Sequence, residues 1–316
     1  MKKFNILGLI IAILSLVLGN FIIDSGFISN SYKTVIFQIG IYLISSFSLN
    51  FTLGYLGEFT LGHAGFLAIG AYTSALLVKN GIHFLIAILV SALASSILGY
   101  IIGLLSTRLR GDYLAIATLG IGEIIRICVV NNEALLGGAK GLKAIPKYSK
   151  FLVIYSFTIL TFVVLKLILD SKHGRTIIAI RENEIAVKSL GISTKKYKVL
   201  AFVVSAFFAG ISGALWAGNQ GILTPNEFGF MKSVEVLVMV ILGGIGSMTG
   251  SIISTSLLIS FPVVFQMFIP NMNKYRMIIY SLVLILIMIF RPSGIMGKNE
   301  FSFTKAKEAK KWVIMF

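Results

Sequence analysis

The chain has 316 residues, of which 57% are hydrophobic and only 13% charged. Soluble domains carry about a quarter charged residues, so a water-soluble enzyme of this length is excluded and lipid is the expected solvent. The formal net charge of +16 does not point to nucleic acid, because most lysines and arginines flank apolar runs, as topology signals and anionic-lipid contacts do.

Residues 4–23, 34–57, 59–78, 80–107, 199–226 and 236–273 contain no Asp, Glu, Lys or Arg. A membrane-crossing helix needs roughly 20 apolar residues, and these runs reach that length. The last is too long for one span, roughly 57 Å as a single helix, and Gly243, Gly244, Gly246 and Gly250 interrupt it. Taken in order, the expected segments lie near 4–23, 34–52, 60–78, 82–105, 113–131, 151–169, 198–217, 232–246, 250–269 and 275–290. All are expected to be helical, since lipid leaves no partner for open backbone groups. The fold class is therefore an all-α polytopic membrane protein of about ten transmembrane helices, one membrane domain over 1–316. Met1-Lys2-Lys3 before an apolar run resembles a signal peptide, but no small-x-small site precedes Asp24. It reads as an uncleaved first span.

Ten crossings put both termini on one side. With the N-terminus cytoplasmic, 17 of the 28 basic residues fall inside and nine outside, which favours N-in, C-in. The cluster Lys140, Lys143, Lys147 and Lys150 runs against that bias. The short segment 60–78 and the glycine-broken stretch 232–250 hold comparable places in the two halves. Interrupted segments so placed mark an internal repeat and a central pathway; ordinary short helices are the other reading.

The longest hydrophilic stretch, residues 170–198, reads DSKHGRTIIAIRENEIAVKSLGISTKKYK, with seven basic and three acidic residues. A loop that only turned the chain would be shorter and less apolar. A helix is expected over residues 182–190, closed by Gly191 at the position after its C-cap. Its apolar face suits either a groove on a partner protein or an anionic lipid surface.

Glu123 and Arg126, three apart in the fifth segment, share a helix face, either as a polar element of a pathway or as a mutually neutralising pair. Gly62, Ala64 and Gly65 allow close helix approach and could also border a pore. His63 could titrate or be a hydrogen-bonding core residue. His63, His83 and His173 lie apart and Cys128 is the single cysteine, so no metal-ligand set or disulfide is expected. Gly243 to Gly250 has no Gly-Lys-Ser/Thr ending, and none occurs in the chain, so the chain has no P-loop. Gly99-x-x-x-Gly103 and Gly246-x-x-x-Gly250 match helix-packing spacing instead.

Ala179-Ile180-Arg181-Glu182-Asn183-Glu184-Ile185-Ala186 with Leu190-Gly191-Ile192 resembles the coupling loop of the branched-chain amino acid ABC permeases. Gly54-Tyr55-Leu56-Gly57, Leu61-Gly62-His63-Ala64-Gly65-Phe66 and Ile69-Gly70-Ala71-Tyr72-Thr73 agree with that family. So do residues 111–120, Glu123-Ile124-Ile125-Arg126, Gly137-Gly138, Gly141-Leu142, Leu242-Gly243-Gly244-Ile245-Gly246 and Arg291-Pro292-Ser293-Gly294. The resemblance runs from about residue 40 to 297, closer to the larger, M-type subunit. Glu58 stands where the pattern leads to Gln, and Thr60 where Ser is usual.

The resemblance implies a non-catalytic permease in a bacterial inner membrane, paired with a second homologous permease, two cytoplasmic ATPases and an extracytoplasmic substrate-binding protein. ATP would be used by the partner subunits, with no cofactor bound by this chain. Arg181, Glu182, Asn183, Glu184, Ala186, Leu190 and Gly191 would form the ATPase-coupling loop. Glu58, Gly62, His63, Gly65, Glu123, Arg126, Gly137 and Gly138 are the candidates for the translocation pathway. Other small solutes (a sugar, nucleoside or amide) are alternative cargoes. An ion-driven carrier using Glu58 and Glu123, or a structural scaffold, are the rival classes.

Overall fold

The structure, a computed structural model, describes residues 19–20, 23, 29–268, 285, 289–291 and 293–297. The expected spans at 4–23 and 275–290 lie almost wholly outside these residues. The described chain is helical and holds no strand beyond one bridge between Leu142 and Leu223.

The elements are α1 (Asn30–Asn50), α2 (His63–Lys79), α3 (Phe84–Ser106), α4 (Asp112–Asn131), the single turn α5 (Glu133–Leu136), α6 (Phe151–Asp170), α7 (Lys172–Glu182), α8 (Glu184–Ser189), α9 (Thr194–Gln220), α10 (Phe230–Gly243) and α11 (Met248–Phe268). α1 continues as a π-helical turn over Phe51–Leu56 and stops at Gly57, φ +84°. Among the described residues five helices are long and apolar enough to cross a membrane: Tyr32–Leu56, Phe84–Ser106, Asp112–Asn131, Phe151–Asp170 and Thr194–Gln220. The chain is thus a multi-pass membrane protein. A figure of ten spans would add shorter helices and residues outside the described set.

Helix ends reveal the alternation of directions. Arg110, beyond α3, pairs with Glu184 ahead of α9, and Glu58, beyond α1, pairs with Lys198 in the first turns of α9. At the opposite end Phe84, opening α3, stacks on Tyr148 ahead of α6 with ring centroids 5.8 Å apart. Leu142 meets Leu223 there, just past α9.

The centre of the bundle is α9, packed along α2 and α3. Lipid chains are as apolar as leucine, so close backbone approach and interhelical hydrogen bonds hold such helices together. A Cβ on Gly70 would collide with the Gly210 carbonyl, and one on Gly213 with the Leu67 carbonyl. Gly99 and Gly103 lie against Phe202 and Val199 of α9, so this GxxxG does pack a helix pair. The second pair does not act as one motif: Gly246 sits at φ +86° in the turn between α10 and α11, its backbone against Gly54, while Gly250 packs against Gly243. Buried hydroxyls reach backbone acceptors across helices: Ser205 donates to Ser48 O (2.7 Å), Ser212 to Ile41 O (2.8 Å) and Ser95 to Phe66 O (3.0 Å).

The glycine-broken stretch behaves as its sequence suggests. α10 ends at Gly243, the chain turns through Gly244 and Gly246, and α11 begins at Met248. Asn50 ties this turn to α1: its amide donates to Ser247 O and Ser251 Oγ, and its Oδ1 accepts from Gly246 N, each at 2.9 Å.

Gly70→Leu is expected to lower the stability of the full chain in detergent by about 1–3 kcal/mol, read as a reduced unfolding midpoint. Gly120→Ala, whose added Cβ meets no atom within 4 Å, is expected to stay within about 1 kcal/mol of wild type.

Candidate coupling site and translocation path

The hydrophilic stretch folds as two helices, not one. A helix starting at residue 182 is not what forms: Glu182 closes α7, and Asn183 breaks out at φ −158°, ψ 100°. The Asn183 side chain then caps α8 by accepting from Ala186 N at 3.0 Å. A short amide that can satisfy a free helix N–H favours the cap over the helix interior. Gly191 does take the left-handed conformation expected after the C-cap, φ +76°.

α7 buries Ile177 and Ile180 and α8 buries Val187, whereas Ile185 and Leu190 remain 75% and 77% exposed. The result is a rigid two-helix projection with an apolar tip at a strongly charged end of the molecule.

Glu184 anchors that projection. Its carboxylate meets Lys188 at 2.8 Å, Lys198 at 3.2 Å and Arg110 at 3.4 Å, and accepts from Thr194 Oγ1 at 3.2 Å. Lys198, with its side chain only 4% exposed, also meets Glu58 at 2.5 Å. One cation therefore joins α8, α9 and the connection between α1 and α2. Arg181 makes a second tie: Nη1 donates to Gly54 O at 2.6 Å, and its stem lies over Gly57. Glu182 pairs outward with Arg181 at 2.6 Å. Burial alone would raise the Glu184 carboxyl, but hydrogen bonds and charge from Lys188 and Lys198 outweigh it and hold the group at about 2, against an ordinary 4.5.

The pathway candidates divide into three places. Gly62, His63 and Gly65 lie at and just before the start of α2, where Gly62 abuts the Thr118 backbone and Gly65 faces Gly122 and Ile125 of α4. His63 is fully buried, its Nε2 3.0 Å from Ser48 Oγ. Glu123 and Arg126 pair at 2.7 Å on α4, and Glu123 accepts from Phe230 N at 3.1 Å, so this pair fastens the start of α10. Gly137 and Gly138 take φ +76° and +54° in the turn after α5. Glu58 stands apart from all of these, in the ion-pair network of Lys198 and Glu184.

Sequence reasoning passed over Lys198 and Arg110, which it counted only as topology charges. It also passed over Tyr42, Trp216, Lys232 and Glu235 at the opposite end. Charge and aromatic type mark such residues, but no local spacing joins Tyr42 to Lys232 across 190 positions. Among the described residues no group of His, Cys, Asp and Glu could hold a metal.

A buried helix core with a charged, apolar-tipped projection is thus what the described residues of this multi-pass membrane protein build. The family model described as the branched-chain amino acid transport system permease component matches residues 31–288, and the chain belongs to that family. It is similar to the high-affinity branched-chain amino acid transport system permease protein LivM of Escherichia coli strain K12, 37% identical over 291 residues, covering 81% of this chain and 68% of the relative. The LivM protein of Salmonella typhimurium is 38% identical over the same shares. The LivH permease protein of that organism is 27% identical over 184 residues, 58% of each chain. No solved structure matches.

Lys198→Met strands the Glu58 carboxylate and is expected to cost about 3–5 kcal/mol, with part of the loss recovered in the double variant with Glu58→Gln. Thermal unfolding in detergent measures both. Glu184 has a depressed folded-state pKa, so its contribution is complete above its ordinary 4.5 and disappears as pH falls toward about 2. The stability gap between wild type and Glu184→Gln is therefore expected to be flat from about pH 8 to about pH 5 and to close below that window.

Proposed function

We propose that this chain is the non-catalytic permease subunit of an ABC importer for branched-chain amino acids, forming part of the translocation pathway and coupling it to separate ATPases. The observation that carries the reading is the Glu58–Lys198–Glu184 network, which joins an apolar-tipped surface helix to the central helix of the bundle. In this reading the chain is one membrane domain in a bacterial inner membrane, with both termini cytoplasmic and residues 170–198 on the cytoplasmic side. A second homologous permease completes the pathway, in keeping with the likeness to both LivM and LivH proteins. Two cytoplasmic ATPases and an extracytoplasmic binding protein complete the importer.

Coupling follows from the packing. Ile185 and Leu190 seat α8 in a groove on the ATPase, as an amphipathic helix does. When the nucleotide-binding subunits close, α8 moves with them. Glu184 draws Lys198 and hence α9, while Lys198 draws Glu58 and the segment leading into α2. Because α9 and α2 touch backbone to backbone, they shift as rigid bodies between discrete arrangements. ATP is bound and hydrolysed by the partners, consistent with a chain that lacks Gly-Lys-Ser/Thr.

An ion-driven carrier needs a carboxylate free to bind and release its cation. Glu58 is held by Lys198 and Glu123 by Arg126, which weighs against that mechanism.

The test is leucine uptake into proteoliposomes holding this chain, the second permease, the ATPases and the binding protein. Uptake is expected to need ATP and to be absent with an ion gradient alone; gradient-driven uptake by this chain alone would establish the carrier instead. Glu184→Ala and Gly191→Val are expected to insert normally yet lower leucine transported per ATP by about tenfold, the typical scale of a coupling free energy. Leu190→Asp is expected to lose ATPase association in pull-down. Wild-type coupling in all three would sink the assignment of residues 181–191.

A further inference from the structure

At the end of the bundle away from Glu184, residues of α1, α2, α9 and α10, with Phe228, line a small cavity of about 10 Å³. Tyr42, Ser45, Leu67, Trp216, Phe228 and Lys232 are among its lining residues. From this geometry we infer that the cavity is a binding site for the zwitterionic end of an α-amino acid, and that the Lys232 ammonium is its internal occupant when no amino acid is present. The inference rests on the importer reading above and specifies where the cargo is held.

The cage comes first. Lys232 Nζ lies 4.3 Å from the centroid of the Tyr42 ring and 4.2 Å from that of Trp216. The two rings stand edge to face, 5.7 Å apart at 82°. Lys232 also donates to the Tyr42 hydroxyl, which donates in turn to Glu235 Oε2 at 2.8 Å. Glu235 meets Lys232 at 3.4 Å. Two aromatic faces with a carboxylate behind them form an ammonium receptor. A lysine two residues into α10 fills it from within.

Charge comes second. Glu227 lies beside the cage, accepting from Trp216 Nε1 and Thr224 Oγ1, each at 3.0 Å. It has no cation within ion-pair distance among the described residues. The site thus presents two carboxylates, Glu227 and Glu235, to one ammonium. A second positive charge fits without leaving any cation uncompensated. An α-amino acid adds one positive and one negative group: its ammonium takes the cage, and Lys232 turns to its carboxylate.

The third observation is independent of both. The Ser45 hydroxyl is 1% exposed, lines the cavity and has no hydrogen-bond partner. Buried hydroxyls are almost always paired, and a carboxylate oxygen brought beside Lys232 would supply the missing acceptor. Leu67 and Phe228 offer apolar wall to a side chain. The present cavity of about 10 Å³ has scarcely room for one water, as expected of a site whose own lysine occupies it, and an amino acid enters only as Lys232 swings aside.

The test has two arms. In the full chain carrying Trp312→Phe, Trp216 is the only remaining tryptophan. In nanodiscs its emission is expected to shift on titration with leucine. Leucinamide, lacking the carboxylate, and 4-methylpentanoate, lacking the ammonium, are expected to need at least about tenfold more for the same shift. Lys232→Met should abolish the leucine response and Lys232→Arg retain it. In the assembled importer, Lys232→Met is expected to lower leucine uptake about tenfold or more. Ser45→Ala should lower it about two- to tenfold, the worth of one hydrogen bond. Leucine import by the wild-type complex with a Trp216 emission indifferent to leucine, or undiminished import by Lys232→Met, overturns the inference while leaving the importer reading intact. No leucine import by the wild-type complex overturns the importer reading itself. Should Lys232→Met fail to fold, the comparison of three ligands on the Trp312→Phe chain still decides.

Discussion

In hydrocarbon, burying one apolar helix against another releases no water, so a membrane bundle must be held by contacts more specific than greasy surface. Here the answer is backbone-to-backbone approach around α9. Gly70 against Gly210, Gly213 against Leu67, and Gly99 and Gly103 against the α9 backbone leave no room for a Cβ at the contact. Helices in such contact cannot slide freely, and serine hydroxyls bonded to carbonyls of neighbouring helices fix their register. Everything else depends on that stiffness. A central helix that moves as one body can connect an event at Thr194 to a cavity wall at Trp216.

The two ends of α9 illustrate two ways of stabilising a lysine that has left water. At one end Lys198 is nearly buried and sits between Glu58 and Glu184. Two carboxylates and one ammonium make a joint that holds while the chain is folded, and removing Lys198 leaves the Glu58 carboxylate without its ion-pair partner. At the other end Lys232 is held by aromatic faces, a phenol and one carboxylate. That set is softer and more easily exchanged, because another ammonium can occupy the same faces. The first suits force transmission and the second suits a replaceable occupant.

How much of this was legible in advance depends on the range over which each cause acts. The glycine break at residues 243–247 was readable because turn formation is local. The C-terminal stop at Gly191 was readable for the same reason. The start of α8 was misplaced by two residues because apolar content carried the expectation past Asn183, whose cap outcompetes helix continuation. Gly246 was assigned to a packing motif by spacing, yet its positive φ serves the turn. Glu58 was read as a pathway candidate or an ion site and not as half of an ion pair, since its partner Lys198 lies 140 positions away.

Composition and uncharged runs alone determined that the chain lives in lipid, that it is helical there, and approximately where most of its helices begin and end. Backbone groups in hydrocarbon have few ways to be satisfied, and in a helix every one of those bonds is local. The order of the motifs along the chain also carried the family. Tertiary structure alone decided which charges meet: Glu58 with Lys198, Lys198 with Glu184, and Lys232 with Tyr42 and Trp216. Those pairings depend on which helices lie side by side, and no residue's own neighbours in the chain encode that.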